Sequence, residues 1–220
     1  MLRLFSYLFL TMTLLGCGYK SPDLSKYQDD GKVKPTLALL PFVNYSDIDV
    51  SWNVSEELTQ GVKNAILKSG NLYLSSQNHV EMVLEQSKNL YTPRLDLNEL
   101  KKFSPSEFVV LLEVLSHKNK AYKRGSVKPV YPADGRISHV LSITAKVRVV
   151  DIREEEPKTV LHEIIHSNHL IPKPMAKIGH KDKSWGDETY NFSPLGMAHA
   201  RLERDIANRL ESYVLVAKSF

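Results

Sequence analysis

The stretch Phe108–Leu115 restricts the fold more than any other: it is apolar at every position but Glu113, and it lies between Pro105 and a basic segment. A run of that length and continuity suits a strand covered on both faces, so the chain must build a sheet with this strand at its centre. From Leu141 to Val149 the odd positions are Leu, Ile, Ala or Val, while Ser142, Thr144, Lys146 and Arg148 fill the even ones. That period of two marks a second strand with one wet face. Asp151–Lys158 is a charged turn containing Pro157, and Thr159–His169 reads as the returning arm of a hairpin.

The flanking segments supply the helices. Thr36–Val43 is a short apolar strand despite Pro41, closed by the turn-prone Asn44-Tyr45-Ser46-Asp47. Val54, Leu58, Val62, Ala65 and Ile66 then recur at helical spacing, with Asn53 and Glu56 placed for a capping box and Gly70 as the stop. Asn71–Ser75 reads as a short strand, and Val80, Val83 and Leu84 mark a second amphipathic helix ending near Lys88. Asp96 and Glu99 bracket the start of a short helix containing Leu97, Leu100 and Phe103. Ser193 and Pro194 open the longest helix, as N-cap and first residue, with Leu195, Ala198, Leu202, Ile206, Leu210 and Tyr213 on one stripe. The expected fold is α/β: a single mixed sheet, in the order strand-helix-strand-helix-strand-strand-strand-helix, with the helices packed on the sheet, over residues 36–220.

The amino terminus has another task. Arg3 precedes the apolar run Leu4–Leu15, which ends at Gly16-Cys17 and the polar Lys20, Ser21, Pro22 and Asp23. That is the layout of a signal peptide over residues 1–16, and the run falls short of the about 20 apolar residues a membrane span needs. Leu14-Leu15-Gly16-Cys17 resembles the lipobox of bacterial lipoproteins. The resemblance implies that Cys17 carries the lipid after cleavage, that two or three acyl chains hold the product to its membrane, and that Gly18 directs it to the outer membrane with the domain facing the periplasm. Cys17 is the only cysteine in the chain, which excludes an internal disulfide and a cysteine-based zinc cage. Residues 17–35, the lipidated end and a tether, are rich in Lys, Asp, Ser and Gly. Loss of residues 1–16 removes only Arg3 from a formal charge of +4, and so balanced a chain is not expected to bind nucleic acid.

Taken together, Leu37–Asn44 with its Pro41-Phe42-Val43-Asn44, Leu58–Gly70, and Val80–Gln86 with its Glu85 resemble the superfamily of the curli secretion-channel lipoprotein and the lipoprotein activator of penicillin-binding proteins. Phe108–Glu113 and Val147–Asp151 are similar to its later strands. A second resemblance, to the lipopolysaccharide-assembly lipoprotein, rests on Cys17-Gly18-Tyr19 and the same Pro-Phe-x-Asn phrase. The long alternating pair that a membrane-spanning channel hairpin requires is not evident. These resemblances imply an envelope protein that binds a partner in outer-membrane or cell-wall assembly, the alternative being lipopolysaccharide together with an outer-membrane barrel.

Three sets of residues are candidates for function. His162-Glu163-Ile164-Ile165-His166 fits the zinc-protease pattern, with Glu188 or Glu203 as a third ligand, and a zinc hydrolase is the rival class. That chemistry needs a helix, whereas Val160, Ile164, Ile165, Pro157 and Pro172 favour a strand. Lys118, Lys120, Lys123, Arg124 and Lys128 form an acid-free segment with Tyr122 and Tyr131, suited to phosphate or carboxylate groups or simply to solvent. The loop Asn44–Trp52 carries Tyr45, Ile48, Val50 and Trp52 at the carboxyl end of the first strand. Trp52 serves there either as an interface anchor or as a staple beneath the first helix. The expectation is a non-enzymatic lipoprotein without a cofactor, lipidated at Cys17 and binding its partner through Asn44, Tyr45, Trp52, Lys118, Lys123 and Arg124.

Overall fold

The computed structural model describes residues 25–87, 90–91, 95–122, 137–175 and 184–219. Cys17, Lys123, Arg124 and the signal peptide lie outside them. The strands are β1 (Thr36–Leu39), β2 (Val43–Asn44), β3 (Tyr73–Leu74), β4 (Phe108–Ala121), β5 (Ile137–Asp151) and β6 (Lys158–Pro172). The helices are α1 (Val54–Ser69), α2 (Gln77–Gln86) and α3 (Pro194–Lys218), with 3-10 turns at Leu97–Phe103 and Tyr190–Phe192. One mixed six-stranded sheet runs β3-β1-β4-β5-β6, with β2 also paired to β4. The fold class and element order are those expected, with β2 and the second 3-10 turn added.

Pro41 explains β2. It has no N–H to give to a ladder, so the first strand breaks there and resumes at Val43. Leu39 pairs with Val110 and Val43 with Glu113, so four residues of one strand advance against three of the other. The extra residue turns the chain toward α1, where Phe42 N–H donates to Thr59 Oγ1 at 2.9 Å.

The helix layers follow from the crossovers. β1 leads through α1 to β3 on one side, and β3 returns through α2 past β1 to β4 on the other, all three strands being parallel. Right-handed crossovers in opposite directions land on opposite faces of a sheet. α1 and α3 therefore pack on one face, with Leu37, Leu39, Val110, Leu112 and the odd positions of β5. α2 and the Leu97–Phe103 turn cover a smaller patch of the other face, over Ala38, Leu40, Val109 and Leu111.

Local signals set the helix ends. Asn53 Oδ1 accepts from the N–H groups of Ser55 and Glu56, Gly70 closes α1 at φ 73°, and Ser193 caps α3 ahead of Pro194. Residues 25–35, expected as part of the tether, make two ordered contacts. Tyr27 bridges to Val33, and Lys34 is buried at the entrance to β1. β4, β5 and β6 run to 14, 15 and 15 residues, beyond the ends expected from their apolar positions.

Candidate functional site

The amino-terminal turns of α1 and α3 point toward the end of the sheet where β1, β2 and the parallel half of β4 finish. Sheets with parallel strands gather functional groups at that end. Glu57, in the first turn of α1, is 2% exposed. Its carboxylate accepts from Trp52 Nε1 at 2.7 Å, from His199 Nδ1 at 2.7 Å and from the Tyr190 hydroxyl. His199, 1% exposed on α3, places its Nε2 3.0 Å from His117 Nε2 on β4.

The acceptor at one end orders the whole chain of bonds. A carboxylate only accepts, so His199 Nδ1 carries the hydrogen toward Glu57, and the other ring nitrogen, Nε2, is the atom that meets His117. Burial pushes the Glu57 acid upward. The bond and charge of His199, with the bonds from Tyr190 and Trp52, outweigh it and hold the group below its ordinary value. Burial, then the Glu57 charge and hydrogen bond, raise the Tyr190 phenol. Trp52 meets Tyr190 edge-on at 5.4 Å, and the two imidazoles meet edge-on at 5.2 Å. A carboxylate that orients a histidine is the arrangement of hydrolytic triads. Here it ends on a second imidazole and binds α1, α3, β4 and the loop after β2 into one unit.

That loop roofs a cavity of about 190 Å³ lined by Asp47, Asp49, Val50, His117, Asn119 and Leu195, among others. Of the residues singled out from sequence, Asn44, Tyr45 and Trp52 lie at the two ends of this loop, and none of them lines the cavity. Asn44 Oδ1 accepts from Ser46 N–H at 2.9 Å and from Ser46 Oγ at 2.6 Å, which shapes the turn. Tyr45 is 53% exposed. Trp52 is half-buried against the apolar core, in the position of the staple. Lys118 is exposed and follows His117 on β4, so its side chain leaves from the opposite face of the sheet.

The zinc pattern is not assembled. His162, Glu163 and His166 lie on β6, where His162 pairs with Arg148 and His166 with Thr144. Four residues along a strand separate the two histidines by about 13 Å, and Glu163 points to the other face, where Arg209 binds it. Glu203, weighed as a third ligand, lies instead on α3 against Gly61 of α1: a Cβ at Gly61 would stand 2.0 Å from its Cδ. Burial and the neighbouring Glu57 charge, opposed by Arg204, push the Glu203 acid up to about 8. No group of three metal-ligating side chains occurs among the described residues.

Sequence reading missed Glu57, His117, Tyr190 and His199. The available signal was His199, which sits four residues after Leu195 and three before Leu202 on an otherwise apolar stripe. A polar side chain on such a stripe needs a buried partner.

The sheet, its two helix layers and the buried network define a mixed α/β domain. A family of unknown function (DUF7499) matches residues 23–218, and the chain belongs to it. The hypothetical protein CT253 from Chlamydia trachomatis shares the fold, with a TM-score of 0.62 and 23% identity over 83% of this chain and 98% of that one. Lipoprotein GNA1162 from Neisseria meningitidis matches at a TM-score of 0.41 and 18% identity, covering 79% of this chain and 99% of the other. The C-terminal domain of LpoB from Salmonella enterica matches at 0.37 and 12%, covering 71% and 90%. No curated protein matches the sequence.

Proposed function

We propose that the chain is a lipid-anchored protein of the bacterial cell envelope that binds an assembly partner through the loop between β2 and α1 and performs no catalysis of its own. The lipobox at Leu14–Cys17 supports the anchor. One observation carries the binding role: the Glu57 network holds the end of this loop from beneath through Trp52, while Tyr45 at its start stays 53% exposed. A rigid loop with an outward aromatic loses little entropy on docking, and such aromatics are enriched among binding hot spots.

Site-specific photocrosslinking in cells tests the reading. A photoreactive residue at position 45 gives a discrete adduct that the same residue at position 213, exposed on α3, does not give. Identical adduct patterns from both positions would remove the loop from consideration. Metabolic labelling with palmitate tests the anchor separately, since Cys17→Ser abolishes it and leaves the precursor uncut.

A further inference from the structure

β4, β5 and β6 show different faces to different surroundings. Their odd-numbered β5 positions are sealed under α3, whereas the even positions Ser142 to Arg148 stand beside Ser116 and Lys118 on one flank and His162, Ile164, His166 and Asn168 on the other. None of these side chains belongs to either apolar cluster. α2 and the Leu97–Phe103 turn pack on this side over β1 and the first half of β4, and no other described helix covers the even positions of β5 from Ser142 to Arg148. This face measures about 10 Å across three strands and about 20 Å along β5 from Ser142 to Arg148, beyond which Val140 is buried.

Its charge is one-sided. Lys118, Lys120, Lys146 and Arg148 all project from it, and its one acid, Glu113, is buried and bound to Lys146 at 2.7 Å. Lys118, Lys120 and Arg148 make no ion pair among the described residues. Ile164, 50% exposed, sits between His162 and His166. A flat array of cations, three of the four outside any ion pair among the described residues, around an exposed aliphatic side chain matches the headgroup layer of a bilayer, with phosphates outside and the first methylenes beneath.

The covalent reach agrees. From Cys17 to Ser25 the chain extends at most about 28 Å. The folded unit begins against β3, where the Lys26 ammonium lies 5.7 Å from the centre of the Tyr73 ring. β3 and β6 are the two edges of the sheet, about 19 Å apart. A domain held on that leash can lie along the bilayer, and lipid phosphate is the first anionic surface the bare face meets. We infer that the β4–β5–β6 face docks on the phosphate headgroups of an anionic bilayer, an inference that rests on the lipid anchor proposed above.

The lipidated full-length chain tests it. With Cys17 acylated, Ile164→Cys leaves a single thiol for a nitroxide label. The labelled protein is reconstituted in vesicles of phosphatidylethanolamine alone or mixed with phosphatidylglycerol. The label is shielded from a water-soluble relaxant in the mixed vesicles and open to it in the neutral ones, and salt releases it. Lys118→Ser, Lys120→Ser and Arg148→Ser each lower the docked-to-free ratio about fivefold. Lys118 and Lys120 are exposed, so their variants carry the test if Arg148→Ser unfolds the sheet. Equal access in both vesicles overturns the inference, as does shielding that ignores the charge variants or appears only when an acidic protein is added. Protein that fails to float with the vesicles at all refutes the anchor instead of the docking.

Discussion

The two faces of β4 part company at Val114. Up to that residue both are core, with Val110 and Leu112 under α1 and α3 and Val109 and Leu111 under α2 and the Leu97–Phe103 turn. Beyond it one face still meets α3, through His117 and the Glu57 network, while the other, which no described helix covers, bears the exposed Lys118 and Lys120. One strand thus passes from a doubly packed element to a one-sided one. The change coincides with a register shift between Val114 and Ser116 against β5, where an unpaired residue bends the strand. Burial on both faces supports stability; a bare face is free to serve another surface.

The comparison breaks most visibly at Glu57. In Glu57→Ala, Trp52, Tyr190 and His199 lose their acceptor inside a closed interior, and removing one member of a buried charged network costs about 3 to 5 kcal/mol. Urea unfolding of the variant against the parent measures it, and a loss below about 1 kcal/mol would mean that water replaces the carboxylate. Next come Leu111→Ala and Leu112→Ala, neighbours on opposite faces, 2% and 0% exposed. Both should cost about 2 to 5 kcal/mol, because each leaves a cavity in a packed layer. If Leu111→Ala were nearly silent, the smaller layer would not count as core.

The sheet and its helices were legible because their signals are local: the alternation of Leu141–Val149, the caps Asn53 and Ser193, and the stop at Gly70 were all used as expected. The length of β4 was not, because Lys118, Asn119 and Lys120 read as a solvated loop. Pairing with Ser142, Leu141 and Val140 holds them in a strand, and no periodicity along one segment reveals such a partner. The candidate site was legible only at its rim. Asn44, Tyr45 and Trp52 are close in sequence, whereas Glu57 and His199 meet across 142 positions. Separation of that size leaves only a weak trace, a polar residue on an apolar stripe.

A pH dependence separates the two carboxyls of the helix layer. Glu203 has a folded value raised to about 8, so its contribution to stability is complete below its unfolded value, near 4.5, and is lost as pH rises through about 8. Glu57 is shifted downward, so its contribution is present above its ordinary value and disappears as acid protonates it. Glu203→Gln should flatten the alkaline side of the stability profile and leave the acid side intact. Thermal melts between weakly acidic and weakly alkaline buffer check this, and an unchanged alkaline slope would place the carboxyl in solvent.

The smallest effect belongs to the bare face. His162→Ala and Lys118→Ala remove exposed side chains from β6 and β4, neither of which caps a helix, fills a cavity or closes an ion pair among the described residues. Substitutions at such positions usually stay within about 0.5 kcal/mol. Thr144→Ala removes a 3.2 Å contact with His166 Nδ1, and an exposed bond of that kind is worth at most about 1 kcal/mol. These variants matter because the docking proposal needs surface residues that can be changed without loss of fold. If Lys118→Ala or His162→Ala lowered stability by more than about 2 kcal/mol, these side chains would be packed under some part of the chain outside the described residues. The face beyond Val114 would then be a second covered layer, and the contrast between the two halves of β4 would vanish.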